Sequence, residues 1–215
     1  MPLRVVARAQ YLSEGVEQMR RVDYHATHMV KAVKGLELHP NAWTQVTING
    51  AGVKIRERNK DEAIKWFGEW AAPLIDGLGP RRKVLIPIPS SSTVRNSEPN
   101  YRTKILCDAI GARMQRPASV APILRWRRPM IPSRQGGPRD PHALYPELIL
   151  IGPITAGDCI LVDDVETTGG HFIAAAWALM DLERTPSLAV TCGRTLHRQL
   201  DDPFIVADEE LDISR

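Results

Sequence analysis

The sequence predicts an α/β fold built on a mainly parallel central sheet, and three observations carry that expectation. Runs such as Lys83-Val-Leu-Ile-Pro-Ile88 and Cys159-Ile-Leu-Val162 are apolar at nearly every position, as strands buried on both faces are. Polar turns follow these runs, and stretches with helical spacing of apolar residues come after the turns; strands that alternate with helices make parallel sheets. A chain of 215 residues, 43% hydrophobic and 25% charged, suffices for one domain with a full core.

Taken in order, residues 2–12 and 44–56 read as strands, the second pair of runs turning at the hairpin signal Asn49-Gly50. Residues 15–34 between them read as helical or irregular, and His25 and His28 lie there without a metal-like companion. Residues 61–78 form an amphipathic helix, with Asn59 as its N-cap and Trp66, Phe67, Trp70 and Leu74 as its apolar stripe. A buried strand at 83–88 leads into the loop Pro89-Ser-Ser-Ser-Thr93, a helix at 101–114 and a short strand at 119–124. Residues 125–146, rich in Arg, Pro and Gly and without periodicity, are expected to form a long mobile loop of the kind that serves as a lid. Strands at 147–151, 158–162 and 187–192, a helix at 171–182 and an acidic tail at 201–215 complete the chain.

No run approaches the ~18 apolar residues of a membrane span, and residues 1–8 show no signal-peptide pattern. Cys107, Cys159 and Cys192 sit in apolar runs and form no Cys-x-x-Cys pair. They read as reduced core residues of a cytoplasmic protein, and the pattern argues against a zinc site. The net charge of +3 is unevenly spread. Residues 81–139 hold 13 Lys/Arg against two acids, Glu98 and Asp108, a surplus of +11; the remainder holds 15 basic and 23 acidic residues, or −8. A basic middle in an acidic chain points to a polyanionic partner, either a phosphorylated small molecule or a nucleic acid.

The most informative stretch is Cys159-Ile-Leu-Val-Asp-Asp-Val-Glu-Thr-Thr-Gly-Gly-His-Phe172. A buried strand ends in Asp163 and Asp164; Thr167, Thr168, Gly169 and Gly170 then open a helix. Backbone N–H groups and the positive end of a helix favour a phosphate, and the glycines let backbone approach it closely. The carboxylates can accept bonds from a sugar diol or hold a hydrated divalent cation. Ligands of open α/β sheets bind at the carboxyl ends of the strands, where this turn would lie.

The motif resembles the phosphoribosyl-pyrophosphate (PRPP) signature of type I phosphoribosyltransferases: four apolar residues, two acids, two further residues, then Thr-Thr-Gly. Val84-Leu-Ile-Pro-Ile-Pro89 followed by Arg95, Asn100 before a helix, and Leu188-Ala-Val-Thr-Cys-Gly-Arg-Thr195 are similar to the ComF-type, competence-associated members. The resemblance covers roughly residues 84–196. It implies a three-layer phosphoribosyltransferase-like fold, with residues 1–80 as an N-terminal hood, 81–196 as the core and 197–215 as the tail.

It also implies transfer of the 5-phosphoribosyl group from PRPP to an unidentified acceptor, with pyrophosphate leaving and Mg²⁺ assisting. Asp163 and Asp164 would then act on the ribose and, through water, on the metal. Val165, Glu166, Thr167, Thr168, Gly169, Gly170 and His171 would hold the 5-phosphate. Ser90, Ser91, Ser92 and Arg95 would hold the pyrophosphate, with Arg125, Arg127, Arg128, Arg134 and Gln135 on a closing loop. Glu166 brings a negative charge beside the phosphate, which argues against tight phosphate binding unless its side chain points outward. The implied partners are PRPP and the acceptor, with nucleic acid and a second copy of the chain left open, and no membrane. The competing expectation is a protein that senses PRPP, or attends nucleic acid, without turnover.

Overall fold

The computed structural model of the chain describes residues 2–12, 18–98 and 100–215. The first three residues of the predicted 15–34 segment therefore lie outside the described residues. In chain order the elements are β1 (Leu3–Leu12), α1 (Arg21–Lys34), β2 (Thr44–Ile48), β3 (Ala51–Ile55), α2 (Glu62–Asp76), β4 (Lys83–Pro87) and α3 (Arg102–Gly111). They continue with β5 (Ala118–Val120), β6 (Leu124–Trp126), α4 (Pro141–Leu144), β7 (Leu148–Leu150), β8 (Asp158–Glu166), α5 (Gly170–Met180), β9 (Leu188–Leu196) and β10 (Glu209–Leu211).

Six strands form one sheet in the order β10-β1-β9-β8-β4-β5. The five from β1 to β5 run parallel, and β10 is an antiparallel edge. Burial on both faces explains the unbroken apolar runs: Val84, Leu85 and Ile86 of β4 and Ile160, Leu161 and Val162 of β8 are fully buried. One face packs Ile160, Val162 and Leu85 against α1, α2 and α3 through Met29, Phe67 and Leu106; the other packs Leu161, Val84 and Ile86 against α5 through Phe172, Ala175 and Leu179. No helix among the described residues is long and apolar enough to cross a membrane.

Sheet topology fixes where a ligand can lie. The connection from β4 to β5 runs through α3 on one face, whereas that from β8 to β9 runs through α5 on the other. The chain therefore changes face between the adjacent strands β4 and β8, and their carboxyl ends open a crevice at this switch point.

Several expectations need correction. Residues 1–80, read as a hood, include β1, which pairs with β9 along Arg4–Leu12 inside the central sheet. Within that region the β2–β3 hairpin turns at Asn49 and Gly50, both at positive φ (50° and 76°), as its sequence predicts. Asn59 does not cap α2; its side chain accepts from the Arg56 backbone N–H at 2.8 Å within a short 3₁₀ turn, and Asp61 precedes the helix. The buried stripe of α2 is Ala63, Trp66, Phe67, Ala71 and Ile75, while Leu74 is exposed. The predicted 119–124 strand is two strands, β5 in the central sheet and β6 outside it.

The segment expected to be one long loop is structured. β6 pairs antiparallel with β7 in a separate ribbon, a 3₁₀ turn spans Ser133–Gln135, and α4 follows. The strand at 147–151 thus belongs to that ribbon, not to the central sheet. The acidic tail contributes β10, which pairs with the start of β1.

Candidate functional site

The crevice between β4 and β8 contains a cavity of about 320 Å³, within the range of small-molecule sites. One wall comes from the end of β4 and the following loop, Ile88 to Ser91. The opposite wall comes from the end of β8 and the turn into α5: Asp163, Asp164, Val165, Thr167 and His171. Met130 to Arg134 cover it from the β6–α4 connection.

Local sequence explains each wall. Pairing along β4 and β8, extended by an Ile88 N–H bond to the Val162 carbonyl at 2.9 Å, sets the loop beside the acids. The loop closes on itself: Thr93 N–H donates to the Ser90 carbonyl at 2.8 Å, and the Ser90 and Thr93 hydroxyls lie 2.6 Å apart. The β6 ribbon holds it from outside through Trp126 N–H to the Thr93 carbonyl (3.0 Å) and Met130 N–H to the Ser91 carbonyl (2.7 Å). Trp126 is buried, donates its indole N–H to the Pro89 carbonyl at 3.2 Å, and meets the His171 ring edge-on at 5.9 Å.

Gly169 stands at the start of α5 with φ 72°, the left-handed conformation that glycine adopts without a steric penalty. A Cβ at this position would lie 2.6 Å from Leu211 Cδ1, so β10 buttresses the turn from below. The first intrahelical bond of α5 runs from Ile173 N–H to the Gly169 carbonyl at 3.0 Å. The N–H groups ahead of it belong to the helix's positive end.

The two acids differ in environment. Asp163 accepts the Asp164 backbone N–H at 2.7 Å, and burial, reinforced by the Asp164 charge, holds its carboxyl well above the usual carboxylate range. Asp164 faces Lys34, whose Nζ lies 3.5 Å from its Oδ1. Burial lowers the His171 imidazole pKa, favouring the neutral ring and leaving it able both to donate and to accept.

Glu166 points neither outward nor at the turn. It is buried and pairs with Arg194 Nε at 2.5 Å; Arg194 also donates to the Ala207 carbonyl at 2.6 Å and the Val5 carbonyl at 3.2 Å. Burial still raises the Glu166 pKa, against the opposing pull of Arg194. Its charge is therefore committed to a structural pair joining β8, β9 and the β10 segment.

The structure gathers some of the sequence-derived candidates and separates others. Ser90, Ser91, Asp163, Asp164, Val165, Thr167, His171 and Arg134 line the cavity. Thr168 and Ser92 are exposed beside it, and Gly170 is buried in the first turn of α5. Arg95 is exposed and does not line it. Arg125 is buried in β6, stacked over Tyr101 at 5.1 Å and donating to the Tyr101 hydroxyl (3.2 Å) and the Pro122 carbonyl (2.6 Å), so it is no lid residue. Arg127 donates to the Pro146 carbonyl and Arg128 pairs with Glu147, both at the ribbon's exposed face; Gln135 is exposed.

Lys34 and Arg102 also line the cavity; the sequence leaves Arg102 open between a helix-surface charge and a ligand, and it does not mark Lys34. Arg102 is committed to the end of α1, donating to the Val33 and Ala32 carbonyls, but Lys34 faces the acids. Nothing local marks Lys34, which reaches the site only because β1 lies in the central sheet and carries α1 across its face. No protein-family model matches the chain, and no curated protein matches it.

Proposed function

We propose that the protein binds PRPP with Mg²⁺ in the β4–β8 crevice and transfers its 5-phosphoribosyl group to an acceptor, releasing pyrophosphate. The observation that carries this reading is the convergence, on one cavity at the topological switch point, of a hydroxyl-bearing loop, a carboxylate pair and a glycine turn at a helix start. That combination offers separate places for a pyrophosphate, a ribose diol and a terminal phosphate, as the resemblance to type I phosphoribosyltransferases requires.

The donor set fits a hydrated Mg²⁺. Asp163 and Asp164 supply hard oxygens, and no group of three potential His, Cys, Asp or Glu ligands occurs among the described residues. Mg²⁺ typically keeps several waters and is held by one or two carboxylates together with substrate phosphates. When bound, it neutralises charge developing on the departing pyrophosphate.

The protein's own residues supply the rest. As the anomeric C–O bond to pyrophosphate breaks and the bond to the acceptor forms, positive charge grows on the ribose. Asp163 and Asp164 hold its hydroxyls in position for that change. Thr167, Thr168 and the backbone of Gly169 to His171 orient the 5-phosphate, with the His171 N–H as a further donor. Ser90, Ser91 and Arg134 face the pyrophosphate, and the buried Trp126 with Met130 keeps water from one wall of the cavity. Calorimetry with PRPP and Mg²⁺ should show binding, and a nucleobase panel should reveal an acceptor by pyrophosphate release; no binding heat from folded protein refutes the reading.

A second reading, PRPP binding without turnover, is favoured by one observation. Of the arginines expected to reach the pyrophosphate, only Arg134 lines the cavity, while Arg95, Arg127 and Arg128 lie off it. PRPP binding with no pyrophosphate release from any acceptor decides for this alternative.

A further inference from the structure

We propose that Lys34 is a resident counter-ion of the cavity: it occupies on Asp164 the place that an incoming divalent cation takes, and once displaced it turns to the substrate's pyrophosphate. This inference rests on the PRPP–Mg²⁺ reading of the site.

Lys34 is the last residue of α1. Its backbone is fixed by Gly35, which leaves the helix at φ 76°, and by the Arg102 guanidinium bound to the Val33 and Ala32 carbonyls. The helix end is thus anchored, while the lysine side chain is partly exposed and lines the cavity. Lys34 Nζ lies 3.5 Å from Asp164 Oδ1 and 6.0 Å from the Tyr11 ring centroid. Among the described residues no other salt bridge reaches Asp164.

This pair is looser than the chain's tighter lysine pairs, such as Lys83 with Asp158 and Lys65 with Glu62, both at 2.7 Å. Both partners keep some exposure, 26% for Lys34 and 23% for Asp164, so water and ions can reach them. A lysine ammonium is a point charge on a flexible stem and makes no bidentate clasp, which suits exchange. A divalent cation on Asp164 removes the partner of Lys34 and repels it. A pyrophosphate held between the acids and the Ser90–Ser91 wall would then offer it a compensating charge.

Competition for one carboxylate makes a counterintuitive expectation: removing a cation from the cavity improves cation binding. Calorimetric titration of Mn²⁺ into substrate-free protein should show Lys34→Met binding the ion roughly tenfold tighter than wild type, since an opposing charge has been removed. The same variant should bind PRPP roughly tenfold more weakly in the presence of Mg²⁺, having lost a charge-assisted bond. Lys34→Arg, which keeps the charge, should retain wild-type-like Mn²⁺ affinity, and Asp164→Asn should lose the gain when combined with Lys34→Met. Methionine preserves the stem's packing, and a thermal melt checks folding. Equal Mn²⁺ affinity in wild type and Lys34→Met, including no detectable binding by either, overturns the role of Lys34 even where wild type binds PRPP. Failure of wild type to bind PRPP overturns instead the reading beneath it.

Discussion

Replacing Gly169 by alanine tests whether the glycine turn and the C-terminal strand form one unit. Two costs are expected. At φ 72° a side chain pays the left-handed penalty of about 1–2 kcal/mol. The new Cβ would also stand 2.6 Å from Leu211 Cδ1 and 2.8 Å from Cδ2, closer than real Cβ atoms come, so the buried Leu211 side chain must shift. Overpacking of that kind costs about 1–3 kcal/mol. Gly169→Ala should therefore lower unfolding stability by about 2–5 kcal/mol, read from urea transitions with unchanged slope. Leu211→Ala alone should cost about 2–4 kcal/mol, as truncation of a buried leucine. In that background the clash is gone, and Gly169→Ala should cost only the backbone part. Non-additivity of at least ~1 kcal/mol is thus expected. Strict additivity would refute the buttress, and a neutral Gly169→Ala would refute the requirement for a left-handed residue.

Asp163→Asn should stabilise the substrate-free protein at pH 7 by about 1 kcal/mol and, on the proposed PRPP reading, abolish pyrophosphate release. The folded carboxyl keeps its proton to higher pH than the unfolded chain's, near 3.9, so ionisation costs stability as pH rises, and the variant's advantage should vanish below about pH 4 in chemical denaturation. Asp158→Ala should destabilise by about 3 kcal/mol, because it strands the buried Lys83 ammonium now paired at 2.7 Å; a change under ~1 kcal/mol in urea melts would contradict this. Arg127→Glu with Arg128→Glu should leave PRPP affinity unchanged by calorimetry, since both guanidiniums sit on the ribbon's outer face; a large loss would place them over the cavity.

Much of the sheet was legible because its signals are local. The apolar runs of β4 and β8 and the Asn49-Gly50 hairpin each state their structure in a few consecutive residues. The acid pair and the Thr-Thr-Gly-Gly turn did so as well, and the turn opens α5 where expected. What was not legible depends on distant partners. Residues 125–146 lack periodicity because β6 and β7 are three residues each and form a ribbon apart from the central sheet, and because α4 is a single turn. Arg125 reads as one more loop arginine, yet burial against Tyr101 makes it part of the packing. Lys34 is unremarkable in sequence, and only the position of β1 and α1 in the fold brings it to Asp164.

Glu166 shows how a charge that looks adverse in sequence can be built into the frame of a site. Beside a phosphate turn it would repel the ligand, but strand geometry turns it to Arg194, and the guanidinium continues to the Val5 and Ala207 carbonyls. A carboxylate desolvated to this degree is tolerated only while its partner stays. The pair therefore couples three parts of the fold: β8, which carries the acids; β9, which carries Arg194; and the segment ahead of β10. Leu211 of β10 in turn packs under Gly169. The acidic C-terminal segment is thus joined to the glycine turn by two independent contacts, one ionic through Glu166 and one steric through Leu211. Disturbing either should be felt at the turn before it is felt at the Ser90–Ser91 wall, which is held separately by β4 and the β6 ribbon.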